Sequence, residues 1–248
     1  GLGALVWLVS PFLANLALRA FGGDGWQGFG LRPHFKGGLR WYLAALVIPT
    51  VIIAAVILLG SLLGVVSLAG FRENGISVYL AAVGGVFAAS MMKNFFEEFA
   101  WRGYLTPKFE AMGTHPYTAA LLTGLIWASW HFPYYFYYMD RVLLSQYTSL
   151  SPMGMVIIAV LALPFHALAY NELRLLSSSV WPAWLMHNVA NAVSMALFPL
   201  AFVVLDAGFA DVILSPGTQG ILHSLLMGFA GVILYRRRQQ VMQGGYEK

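Results

Sequence analysis

The chain has no cysteine and little charge, and these two scarcities narrow its class before any motif is read. Without thiols there are no disulfides, no cysteine-ligated zinc and no thiol nucleophile, while the redox compartment stays open. Charged residues fill 10% of 248 positions, against roughly 25% in an average soluble domain. So few charges do not cover a water-facing surface of this size. No Gly-rich phosphate loop follows a strand and no serine sits in a nucleophile elbow, so nucleotide and nucleic-acid binding find no support.

What the sequence has in quantity is apolar length. Hydrophobic residues make up 59% and mean hydropathy is +0.72. Apolar runs of about 20 residues recur, each long enough to cross roughly 30 Å of hydrocarbon. Backbone groups in lipid must be satisfied internally, which makes helices the default element. The pattern predicts an all-α, polytopic transmembrane bundle with about seven spans, at 2–18, 42–68, 78–104, 117–138, 153–171, 180–204 and 218–235. It forms a single membrane domain over 1–248 with a basic tail at 236–248. Pro49 predicts a kink in the second span, and the first apolar run reads as a span rather than a cleaved leader. The Gly-rich stretch 22–38, with Phe21, Trp26, Phe29 and Phe35, reads as an interfacial segment.

The net charge of +4 is explained by topology and anionic lipid rather than by nucleic acid. Arg19, Arg32, Lys36 and Arg40 share the first loop, and Arg236, Arg237 and Arg238 open the tail. The positive-inside rule places both in the cytoplasm, with Arg72 and Arg141 outside.

Ionisable groups inside spans are functional hypotheses. Near the end of the third span, Glu98 and Arg102 are four residues apart and face one another as an ion pair. Glu97 points about 100° away and is left free to act, with Lys93 four residues off as a possible partner. In the fourth span Trp127 and His131 share a face, and Pro133 predicts a bend beside the imidazole. In the sixth, His187 and Asn191 share a face, Pro182 suits the first turn, and Ser177–Ser179 offer N-caps. Each motif alone has a plainer explanation: interfacial ion pairs, a packed imidazole, or an interhelical hydrogen bond worth roughly 1 kcal/mol. His166 reads as core or as support behind the site. His34, His115 and His223 read as non-functional, and the run Tyr134–Tyr138 as an interfacial aromatic belt. Counting residues puts Glu97 and His187 about 10 Å inside the same membrane face, whereas His131 comes out too deep unless residues 117–121 are interfacial.

The ordered set Glu97-Glu98-x-x-x-Arg102, Trp127-x-x-x-His131, Trp181-Pro182 and His187-x-x-x-Asn191 resembles the CPBP family, which joins CAAX prenyl endopeptidases with bacterial Abi-type and bacteriocin-processing membrane proteases. The resemblance covers about residues 90–195, within a catalytic core of about 78–204. Trp127 departs from the phenylalanine common in the family. The resemblance implies an intramembrane endopeptidase acting on a membrane-anchored peptide or protein. Glu97 and His131 would activate water, His187 and Asn191 would stabilise the oxyanion, and Glu98, Arg102 and Trp127 would support them. No cofactor is favoured; the rival version makes Glu97, His131 and His187 ligands of a zinc ion. The alternatives are a proton-coupled transporter, or a non-catalytic scaffold or immunity protein of the same family. The plasma membrane is the expected location for a bacterial chain, with the tail cytoplasmic.

Overall fold

The computed structural model describes residues 1–139, 141–142, 145, 148–206 and 208–244; the end of the expected basic tail, 245–248, lies outside the described residues. The chain is helical almost throughout. Helix α1 spans Leu2–Phe21 and α2 Phe35–Leu62, followed by a short α3 at Ala69–Asn74. Helix α4, Ile76–Ala100, runs through a π turn at Trp101–Leu105 into α5, Thr106–Ala111. Helix α6 covers Pro116–Trp130, with a second π turn at Tyr134–Tyr138. Then come α7 at Pro152–Ser177, α8 at Trp181–Met195, α9 at Phe209–Leu214 and α10 at Ile221–Gly244. Two short strands, β1 at Val66–Ser67 and β2 at Val204–Leu205, pair antiparallel with Val66 opposite Leu205.

The all-α membrane class stands. Among the described residues four helical runs are long and apolar enough to cross a membrane: Leu2–Phe21, Phe35–Leu62, Ile76–Ala111 and Pro152–Ser177. The expected seven are not reached on length and composition. Helices α6 and α8 have 15 residues each, about 22 Å at 1.5 Å per residue. The chain turns at His131 after α6 and leaves the helix after Met195. The bend at Pro133 is as expected: the amide of His131 bonds back to Ala128 rather than continuing the regular ladder. In α2 the non-helical dihedrals fall at Lys36 and Gly37, while the helix assignment continues through Pro49.

Helix α7 is the centre of the bundle, with α6 and α10 laid against it. Small residues permit that approach, as is usual between helices in lipid. A methyl group on Gly124 of α6 would collide with the backbone of Pro164, and one on Gly231 of α10 with the backbone of Ala169. Two arginines then tie the first loop down. Arg19 donates to the carbonyls of Gly25 (2.7 Å) and Gly103 (2.6 Å), and Arg174 to that of Gly28 (2.6 Å). Arg19 is buried, so it acts as a structural clamp rather than a headgroup contact. Arg238 is likewise buried, donating from Nε to Glu172 at 2.6 Å. Within the loop Phe29 packs inward against Phe99 and Val180, whereas Phe21, Trp26 and Phe35 are exposed.

Candidate active site

The π turn decides where Glu97 sits. The third span does not end near 104 but continues helically to Ala111. Glu97 therefore stands fourteen residues before the α5–α6 connector, and His131 fifteen residues after Pro116. In an antiparallel pair of helices those positions lie at nearly equal depth. The excess depth counted for His131 disappears, because the missing length belongs to the Glu97 helix and not to residues 117–121. The indole Nε1 of Trp127, one turn before His131, donates to Glu97 Oε2 at 2.7 Å.

Glu97 is not the free carboxylate that helical geometry suggested. It is fully buried, with Oε1 paired to Lys93 and Oε2 on Trp127. The side chain of Lys93 is 33% exposed and borders the cavity. Glu98 behaves as expected toward Arg102, whose Nη1 donates to its Oε1 at 3.0 Å. That oxygen also meets His187 Nδ1 at 2.8 Å. A carboxylate held against a guanidinium only accepts, so His187 carries a proton on Nδ1. The Arg102 guanidinium lies 4.6 Å from the ring centroids of both Trp127 and Tyr170. Its Nε and Nη2 have no hydrogen-bond partner among the described residues; the two aromatic faces take their place.

The imidazole of His131 has Nδ1 2.9 Å from the carbonyl of Trp127. The carbonyl only accepts, which fixes the proton on Nδ1 and leaves Nε2 able to accept one. The ring stacks on Tyr135, 5.7 Å away. Tyr135 is thus buried in the site and Tyr134 stacks on Trp7, so the aromatic run is a belt only in part; Tyr137 is exposed. Asn191 donates to Asn94 Oδ1 (3.2 Å), which also accepts from Lys93 (3.2 Å), while Asn94 Nδ2 donates to Asn188 (3.2 Å). At the head of α8 the N-cap position is Val180, without a side-chain cap, so none of the three serines caps the helix; Ser179 Oγ only accepts from the amide of Trp181 at 3.3 Å.

Lys93, His131, His187 and Asn191 border one cavity of about 390 Å³. Trp127 forms part of its wall, and Glu97 lies directly behind Lys93 and Trp127. Sequence reasoning missed Asn94, Asn188 and Tyr170. Asn94 stands four residues before Glu98, and Tyr170 four after His166 and four before Arg174, spacings that were readable; the partner of Asn188 on α4 has no mark in the sequence. A resident zinc finds no fit. Among the described residues no three His, Cys, Asp or Glu side chains are grouped to hold a metal. The oxygens of Glu97 face Lys93 and Trp127, and Nδ1 of His187 is taken by Glu98.

Residues 79–193, from early α4 to late α8, match the family described as Type II CAAX prenyl endopeptidase Rce1-like. Over that stretch the chain is similar to this family. The match bears out the CPBP resemblance and contains every site residue named from the sequence. Comparison with curated proteins and with solved structures finds no match. The Rce1-like region points to a membrane-embedded protease acting on a protein or peptide.

Proposed function

We propose that this chain is an intramembrane endopeptidase that hydrolyses a peptide bond in a membrane-tethered substrate, with water activated by Glu97 and His131 and no metal. The observation that carries the reading is the meeting of Lys93, His131, His187 and Asn191 around one cavity, with the Glu97 carboxylate behind its wall. Peptide hydrolysis needs a base for the attacking water and donors for the oxyanion. Substrate arrival draws the Lys93 ammonium away from Glu97. The freed carboxylate and Nε2 of His131 then hold the water, and Glu97 takes its proton as the oxygen attacks the carbonyl carbon. The oxyanion accepts from the second N–H of Asn191 and from Nε2–H of protonated His187, whose charge Glu98 balances. Collapse of the intermediate breaks the C–N bond, and Glu97 returns the proton to the leaving amine.

Prenylated CAAX peptides are the substrate class the family suggests. The lipid bilayer is the medium, with the tail on the cytoplasmic side of a plasma membrane if the source is bacterial. The test is purified protein in proteoliposomes with a membrane-anchored CAAX peptide. Wild type cleaves it, Glu97→Gln does not, and a zinc chelator changes nothing. Equal cleavage by both proteins rejects Glu97 as the base. Movement of the peptide across the bilayer without cleavage favours the transporter.

A further inference from the structure

The same cavity has a second polar end that the reaction does not use. His166 on α7 and His223 on α10 both border it, with ring centroids 5.2 Å apart. Both are buried, 2% exposed each. Nε2 of His166 lies 3.1 Å from Ser224 Oγ. Neither ring nitrogen of His223 has a hydrogen-bond partner among the described residues. Thr218 and Gln219, in the turn before α10, complete this end. A buried imidazole with two unmet nitrogens costs free energy unless something supplies partners for both.

The chemistry of the gap selects the ligand. A neutral imidazole offers one donor and one acceptor on edges that point apart, and an extended peptide backbone supplies both complements, an N–H from one peptide unit and a C=O from another. A carboxylate only accepts and would leave half of His223 unmet. No acidic side chain borders the cavity among the described residues, so a cationic ligand has no counter-charge there. The distance fits as well. His166 precedes Tyr170 by four residues, and Tyr170 packs on both Arg102 and His187 at the level of the proposed reaction. The four residues from His166 to Tyr170 rise about 6 Å along α7, the length of about two residues of extended chain.

We propose that His223 and His166, with Thr218 and Gln219, form a binding subsite for the backbone of an extended substrate, taking one N–H and one C=O about two residues from the bond that is cleaved. The proposal rests on the protease reading for what the cavity holds. It identifies His223 as a positioning residue, remote from the reacting atoms.

The experiment uses the full chain in detergent micelles and a prenylated CAAX peptide whose backbone amides are replaced by esters one at a time. Binding is measured by calorimetry in the Glu97→Gln background, and the cleaved bond is located by mass spectrometry with wild type. One ester, about two residues from that bond, weakens binding about fivefold, the share of one net hydrogen bond. His223→Phe weakens the all-amide peptide by a similar factor and removes the difference between it and that ester. His223→Gln, which keeps a donor and an acceptor, retains the difference and guards against a folding defect in the phenylalanine variant. The subsite is overturned if the ester penalty survives in His223→Phe, if no position carries one, if the loss follows C-terminal amidation instead, or if no peptide binds. Ester-sensitive binding without cleavage by wild type sinks the protease reading and leaves the subsite standing. Cleavage with a uniform ester response sinks the subsite alone.

Discussion

Glu97 and Glu98 are neighbours in the chain and equally buried, yet they belong to two different regions of the molecule. Glu98 sits in a dry layer. Its partners Arg102 and His187 come from the turn after α4 and from α8, and Arg102 is clamped between Trp127 and Tyr170. Glu97 sits one wall away from the cavity, against an ammonium whose side chain is partly exposed. The first charge is held through Oε1 by two buried partners, while its Oε2 has none among the described residues; the second is covered by a group with room to move. Low dielectric strengthens both pairs, but only the second has an exit for its partner. Adjacent carboxylates thus divide into one that holds helices together and one whose partner has room to leave, as the proposed mechanism requires.

Several substitutions break or sharpen that contrast. The largest effect is expected from Arg102→Ala, which leaves Glu98 buried without its cation. Removing one partner of a buried pair costs about 3–5 kcal/mol, and a thermal melt in detergent is expected to show loss of the folded state. A folded Arg102→Ala protein of normal melting temperature would mean the dry layer is not structural. Next comes Glu97→Gln, where cleavage is expected to fall about 10²–10⁴-fold while the melting temperature moves by less than about 3 °C. A large melting shift there would erase the distinction between the two carboxylates.

Trp127→Phe keeps the ring over Arg102 but deletes the indole N–H that Glu97 accepts. A hydrogen bond to a charged group is worth about 1.5–3 kcal/mol, so kcat is expected to drop at least about tenfold, with the melting temperature lowered but the protein still folded. An unchanged kcat would show that the indole donor is dispensable. For Asn94→Ala, which frees Asn191, kcat is expected to fall about fivefold with little change in KM; a KM effect alone would assign Asn191 to substrate binding.

The smallest effect lies outside the bundle. Asp24 pairs with Lys108 and accepts from Tyr104 at 2.6 Å. The Lys108 contact first and the Tyr104 hydroxyl second hold its carboxyl below the ordinary 3.8. A depressed value stabilises the fold above the ordinary one and loses that contribution as pH falls through the folded one. Asp24→Asn should therefore melt slightly below wild type at neutral pH, with the gap closing under acid and in high salt. A gap that persists in acid would tie the effect to packing instead of charge.

Legibility followed the spacing rule. The Glu98–Arg102 pair and the Lys93–Glu97 pair were readable because residues four apart on a helix must meet. The bend at Pro133 was readable because proline lacks the N–H. The depth of His131 was misjudged because a π turn has no clear sequence mark, and it carries α4 on to Ala111. His223 reads as non-functional in the sequence because its neighbour, His166, lies on another helix.

The sequence by itself determined a helical membrane protein, the local pairs on each helix and the residues that carry the family likeness, since hydropathy and a 3.6-residue repeat are properties of consecutive positions. Only the tertiary structure decided that His187 braces Glu98, that Lys93 and Trp127 enclose Glu97, and that two histidines distant in the chain share one cavity. Contacts between helices depend on crossing position and rotation, which close packing around small residues such as Gly124 and Gly231 fixes and no linear spacing encodes.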